Sequence, residues 1–290
     1  MTRSVLTSAR AVWLGAVSAL RDPRLLARLA TPSASDRERR YEDEATRLLG
    51  GAPRTVPIEA LLVPDAQGLD QLSFLDDAST VLDLLLLKSL VARSEGRRYL
   101  EVGTFRGESA VAVATEASRV VTLSLPEAEL VKRGADQSWI AAHRSFSEGD
   151  PRIQHIETDS RQFDTAKYRG WADVVFIDGD HSREAVEADT ATFWPVRERV
   201  SGAMVWHDAF SSALEPRWEV LAGISAGLPR DALSGLVHVS NTLCVAWIPG
   251  AASLSSVERS YVPRIAFEVR VRVLPDWVSP RERAGHAERT

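Results

Sequence analysis

The chain has 290 residues, 44% of them hydrophobic and 26% charged, the composition of an ordinary globular protein that buries one large core or two modest ones. The 35 Lys and Arg against 40 Asp and Glu leave a net charge of −5, so no basic excess argues for nucleic acid as the main partner. The single cysteine, Cys244, rules out an intrachain disulfide. It sits in an apolar run, Leu243 to Ile248, and reads as a buried strand residue in a cytoplasmic protein.

Near the N-terminus, Arg3 and Arg10 flank the start of an apolar run, Ala11 to Leu20, which Arg21-Asp22-Pro23-Arg24 ends without a small-residue cleavage site. It is too short to span a bilayer, and no transmembrane segment is expected. Val5, Leu6, Ala9, Val12, Trp13, Ala16, Val17 and Leu20 fall at helical spacing. They predict an amphipathic helix that packs on the domain or on a second subunit, with a membrane surface as the lesser alternative. Thr31 to Glu44 reads as a linker passing into a solvated helix. Pro53, Pro57 and Pro64 break residues 51 to 75 into an irregular cover.

From Ala78 the pattern changes. Leu82 to Ala92 form a broadly apolar helix fit to lie against a sheet. Tyr99 to Val102, Arg119 to Leu125, Arg152 to Ile156, Ala172 to Ile177 and Ala203 to Trp206 read as five strands. Helical stretches at Ala110 to Ala117, Glu127 to Phe146, Ser182 to Val196 and Leu214 to Ala226 lie between or after them. This alternation implies right-handed crossovers and a mostly parallel sheet with helices on both faces, an α/β Rossmann-like domain. Gly235 to Val239 and Thr242 to Ile248 flank Ser240-Asn241 and predict a closing antiparallel hairpin. Tyr261 to Leu274 alternates apolar and polar residues and predicts a half-buried strand, which extends the sheet edge or docks on a second subunit. The expected organisation is an N-terminal helical extension and cover over 1–77, the main domain over 78–250, and a strand with a flexible tail over 251–290.

Ligands of such sheets bind beyond the carboxyl ends of the strands. Those ends carry Glu101 and Gly103, then Ser124, Asp159-Ser160, Asp178-Gly179-Asp180-His181 and His207-Asp208. Gly103 and Gly107 form a strand-to-helix turn whose N–H groups, with Thr104 and the helix start at Ser109, face a ligand. The spacing Glu-x-Gly-x-x-x-Gly differs from that of dinucleotide sites. A carboxylate at Glu101 suits a ligand bearing an ammonium group, whereas plain βα-turn chemistry explains the glycines alone. His181 and His207 are candidates for a base near neutral pH. Asp178, His207 and Asp208 could together hold a divalent cation if their strands are neighbours.

Glu101-Val-Gly-x-x-x-Gly107, Thr158-Asp159-Ser160, Val175-Phe-Ile-Asp-Gly-Asp-His181 and Trp206-His207-Asp208 resemble class I S-adenosylmethionine-dependent methyltransferases. The resemblance is to the small-molecule branch related to macrocin O-methyltransferase and cephalosporin hydroxylase-like proteins, and it covers residues 78 to 249. It implies that Glu101, Gly103 and Gly107 hold the methionine end of S-adenosylmethionine and that Asp159-Ser160 lie beside the adenine. Asp178 then lines the sulfonium end; Asp178, with His181 and His207 as the candidate bases, makes up the catalytic set expected from the chemistry. The acidic residue that usually takes the ribose hydroxyls is replaced by Ser124, so that either cofactor affinity is lower or Glu127 or Glu129 reaches in. The function expected is methylation of a small-molecule acceptor, most simply at oxygen. A metal-assisted hydroxylase-like enzyme and a catalytically silent cofactor-binding module are the alternatives, and a homo-oligomer through the N-terminal helix or the C-terminal strand is an open expectation.

Overall fold

The computed structural model describes residues 33–64, 68–69, 72 and 78–268. The amphipathic helix expected near the N-terminus, and most of the segment beyond Tyr261, lie outside these residues. The first described helix, α1 (Ala34–Leu49), opens on a capping box in which Ser33 and Asp36 satisfy each other's backbone N–H, and ends at Gly50 in a left-handed turn. After a three-residue strand β1 (Arg54–Val56), helix α2 (Val81–Arg93) begins with a second capping box, Thr80 and Asp83. Strand β2 (Arg98–Val102) and helix α3 (Glu108–Ala114) follow, joined by the glycine turn.

The remaining elements follow the predicted alternation. Strands β3 (Arg119–Ser124), β4 (Ile153–Glu157), β5 (Val174–Ile177) and β6 (Ala203–Trp206) carry the apolar runs. The helical stretch after β3 is two short helices, α4 (Glu127–Lys132) and α5 (Gln137–Ala142), separated at Gly134 with positive φ. Helix α6 (Arg183–Phe193) follows β5, and α7 (Trp218–Gly227) follows β6 after a small hairpin, β7 (Phe210–Ser212) with β8 (Glu215–Pro216). Strands β9 (Leu236–Val239) and β10 (Val245–Trp247) are the expected antiparallel pair, turning at Asn241 with positive φ.

The eight-stranded sheet runs β1-β9-β10-β6-β5-β2-β3-β4. Its β4 to β6 half is parallel, and the order reverses between β2 and β5, which places a crevice over their carboxyl ends. Two readings of the edges need correction. The antiparallel pair does not close the sheet, because β1, in the segment read as irregular cover, pairs in parallel with β9 beyond it. Residues 261–268 form no strand despite their alternation, and Ile265 and Phe267 are exposed; no partner edge meets them among the described residues. One face of the sheet buries Leu86, Leu87, Leu90 and Val91 of α2 and Ala110 and Val113 of α3. The other buries Val186 and Phe193 of α6 and Val220, Leu221 and Ile224 of α7. No helix among the described residues is long and apolar enough to cross a membrane.

Candidate active site

Register assembles the site. Ile156, Leu123, Val102, Ile177 and Trp206 lie opposite one another in a single row across β4, β3, β2, β5 and β6, and Val245 of β10 continues it. The next backbone step carries the ladder on: Gly103 N–H donates to Leu123 O at 3.0 Å, Asp178 N–H to Val102 O at 2.8 Å and His207 N–H to Ile177 O at 3.0 Å. Strands about 4.8 Å apart therefore deliver Ser124, Gly103, Asp178 and His207 side by side at one level. Above them opens a cavity of about 1010 Å³, of a size that takes a nucleoside-like ligand and part of a second molecule. Its lining includes Gly103, Thr104, Ser124, Asp159, Ser160, Asp178, His181, His207 and Asp208.

Glu101, Gly107 and Ser109 do not line the cavity. Alternation along β2 puts Glu101 on the same face as Tyr99, beneath the glycine turn. There its carboxylate, 0% exposed, accepts hydrogen bonds from Thr122 Oγ1 at 2.7 Å, Ser109 Oγ at 2.8 Å and Tyr99 OH at 2.9 Å. Burial raises its pKa to about 7, against the pull of those three hydroxyls and with the help of the Asp178 charge. Glu101 is thus a clamp joining β2, β3 and α3. The glycines are also explained by the protein itself. Gly103 has φ +103°, and a Cβ there would fall 2.0 Å from the carbonyl oxygen of Asp178; at Gly107, φ +83°, it would fall 2.0 Å from Ser147 Oγ.

At the crevice, the ring of His207 sits between acids. Its Nδ1 is 3.2 Å from Asp178 Oδ1 and 3.5 Å from Asp208 Oδ2, and its Nε2 is 3.2 Å from Asp83 Oδ2. Burial lowers the His207 pKa, but the charge and hydrogen bond of Asp178, with bonds to Asp208 and Asp83, outweigh it and hold the pKa well above the ordinary imidazole value. Asp208, raised by burial, is pulled down to about 2 by the His207 bond and charge together with His181 and Arg217. His181 reaches the same carboxylates from the other side, its Nε2 3.0 Å from Asp208 and 3.5 Å from Asp178, and is one-third exposed. Asp208 has φ +53°, a left-handed backbone that Asp tolerates better than most residues and that is concentrated at functional positions. The ligand atoms of Asp178, His207 and Asp208 all lie within 4.8 Å of one another, a donor set of two carboxylates and an imidazole that fits a divalent cation.

At the far end of the cavity, Ser124 Oγ is buried and has no hydrogen-bond partner among the described residues. An orphaned hydroxyl at a cavity wall calls for a polar ligand group. Neither Glu127 nor Glu129 lines the cavity. The carboxylate of Asp159 is taken by Arg161 at 2.6 and 2.9 Å and by Arg133 at 3.1 Å, so Ser160 and the loop backbone are what this turn offers a ligand. Phe105, Trp139 and His143 stack in series, with centroids 4.9 and 5.6 Å apart, and all three line the same cavity. Neither Trp139 nor His143 is among the site residues that the sequence singles out. Trp194, Trp206 and Trp218, close to these strand ends in the sequence, do not line it.

Asp83 is the residue that sequence reasoning missed entirely. Its position in a capping box gave it a sufficient local role, and only the tertiary packing of α2 brings it to His207.

Residues 100–209 match the family model described as Methyltransferase domain. No curated protein matches the chain. Among solved structures, a methyltransferase of Podospora anserina bound to SAH is 16% identical with a TM-score of 0.40, over 74% of this chain and 96% of that one. The O-methyltransferase TomG of Streptomyces achromogenes, in complex with SAM, is 18% identical with a TM-score of 0.39, over 73% and 99%. A Bacillus halodurans protein is 18% identical with a TM-score of 0.29 over 41% of this chain, which spans 49% of it. Likenesses this distant carry no argument of their own. The family match coincides with the strands that build the crevice, from β2 through the β6 strand end, and these residues are similar to a methyltransferase domain.

Proposed function

We propose that this chain methylates a hydroxyl oxygen of a small molecule, using S-adenosylmethionine and a divalent cation held by Asp178, His207 and Asp208. The observation that carries the reading is the convergence of these three side chains with His181 at the cavity floor, one strand spacing from the glycine turn. S-adenosylmethionine supplies a methyl group on a positively charged sulfur, and the cation lowers the pKa of a bound hydroxyl. Gly103, Thr104 and Ser160 border the space for the methionine and adenine ends, and the unpartnered Ser124 Oγ meets the ribose. Methyl transfer is an in-line displacement, so the main work of the protein is alignment and exclusion of water. The acceptor oxygen must also lose a proton. His181 is the better base of the two histidines, since it is open to the cavity, whereas His207 is fixed between carboxylates on both ring nitrogens.

The decisive test is product mass after incubation with S-adenosylmethionine and a panel of hydroxylated acceptors. A gain of one methylene supports the reading; a gain of one oxygen would instead assign a hydroxylase. Chelation is expected to abolish turnover and Mg²⁺ or Mn²⁺ to restore it, with Asp208→Asn reducing the rate about 100-fold or more. Full turnover in metal-free buffer would remove the cation from the reading. Ser124→Asp is expected to tighten S-adenosylmethionine binding about tenfold by calorimetry, the worth of a charge-assisted hydrogen bond. A weaker complex would show that Ser124 does not face the ribose.

A further inference from the structure

Asp83 lies on α2, outside the residues that match the methyltransferase domain, yet four donors converge on its carboxylate. Oδ2 accepts the Thr80 N–H at 2.7 Å and faces His207 Nε2 at 3.2 Å; Oδ1 accepts the Leu243 N–H at 2.9 Å and the Cys244 thiol at 3.4 Å. A capping-box acid needs only the first of these contacts and is ordinarily at the surface. Asp83 is 0% exposed, a costly place for a carboxylate unless its partners require one.

We propose that Asp83 is a positioning residue for the cation site: by accepting the Nε2–H of His207 it fixes the ring and turns Nδ1 towards Asp178 and Asp208. This rests on the cation reading given above. A histidine that ligates through one nitrogen characteristically donates its other N–H to a carboxylate or carbonyl, which sets both tautomer and orientation. The ring is further confined by Phe176, edge-on at 6.0 Å between centroids. Only a carboxylate serves at residue 83. Thr80 and Leu243 present backbone N–H groups, which cannot reverse, to the two different oxygens. An asparagine would therefore aim its NH₂ at a donor whichever way it turned. Turned towards Thr80, it would make Nε2 an acceptor and move the histidine proton to Nδ1, where the cation must bind.

Asp83→Asn is expected to weaken Mn²⁺ binding about 10- to 100-fold by calorimetry. Thr80→Ala, which removes the cap hydroxyl but leaves the carboxylate, is expected to lower the melting temperature with Mn²⁺ affinity unchanged. Unaltered Mn²⁺ affinity in folded Asp83→Asn would overturn the role. Nitrogen-15 NMR of the His207 ring in the wild-type protein gives a readout that needs no variant to fold. With Zn²⁺ bound, Nε2 should carry the proton and Nδ1 none; the opposite tautomer would also overturn it. If the wild-type protein binds neither ion, the cation reading fails, and the Asp83 contact is judged separately in metal-free protein. A hydrogen-bonded Nε2 proton, lost in Asp83→Asn, supports the contact, and its absence from the wild type refutes it.

Discussion

Gly103→Val is expected to destabilise the folded protein by about 3–5 kcal/mol, the joint cost of overpacking and of a β-branched residue at positive φ. A glycine that only lets a ligand approach the backbone would give a different outcome, loss of ligand binding in a folded protein. A Cβ on Gly103 would instead lie 2.0 Å from the Asp178 carbonyl oxygen and 2.5 Å from its carbonyl carbon. These are backbone atoms at the end of β5, so the strand end must move, and the Asp178 carboxylate moves with it. Gly103→Ala, which carries the same Cβ, should show most of the loss. Urea midpoints of the three proteins, compared at equal slope, measure it. A midpoint unchanged from wild type, with cofactor binding abolished, would show that the glycine makes room for a ligand instead.

Glu101→Gln is expected to remove a pH dependence of stability worth roughly 3 kcal/mol. Burial, opposed by the hydroxyls of Thr122, Ser109 and Tyr99, raises the Glu101 pKa from 4.5 to about 7. Between those two values the folded protein holds a proton that the unfolded chain has released. Stability from this group is therefore full below about pH 4.5, falls as pH rises towards 7, and stays low above it, at about 1.4 kcal/mol per unit. Glutamine keeps the shape and stays neutral, and the three surrounding hydroxyls can each reverse as donor or acceptor. The difference between the two proteins' unfolding free energies, followed from pH 4.5 to 8, should grow in favour of glutamine. Parallel curves would show that Glu101 is ionised in the fold throughout.

Much of the architecture was legible because its physical signals are local. Each parallel strand is a short apolar run with turn residues at its end, and strand alternation with helices leaves few topologies. The convergence of Ser124, Gly103, Asp178 and His207 followed from the same pattern, since ligands of such sheets gather where strands end. The orientation of Glu101 was also readable in principle: it shares a strand face with Tyr99, and the period of two places both beneath the turn. What was not legible depended on distant partners. Three residues, Arg54 to Val56, hold too little pattern to announce a strand, and it takes pairing with β9, with a bridge from Thr55 to Val257, to make them one. The alternation from Tyr261 satisfied every local criterion, yet residues 261–268 meet no free edge among the described residues. Asp83 fills a local role as part of the capping box with Thr80, and nothing in its neighbourhood of the sequence points across the fold to His207.

The pairing of β1 with β9 bears on how the protein is made. Thr55 and His238, hydrogen-bonded at 3.1 Å, are 183 residues apart in the chain. Closing so long a loop costs roughly 4–5 kcal/mol of chain entropy beyond a constant, and contacts at this separation form late. During synthesis Arg54 to Val56 leave the ribosome well before their partner exists. The β2 to β6 half can assemble while they wait, so the sheet should grow outward from the crevice and seal its far edge last. A nascent chain stalled before Leu236 would then show an ordered crevice with its N-terminal strand unpaired and open to a chaperone.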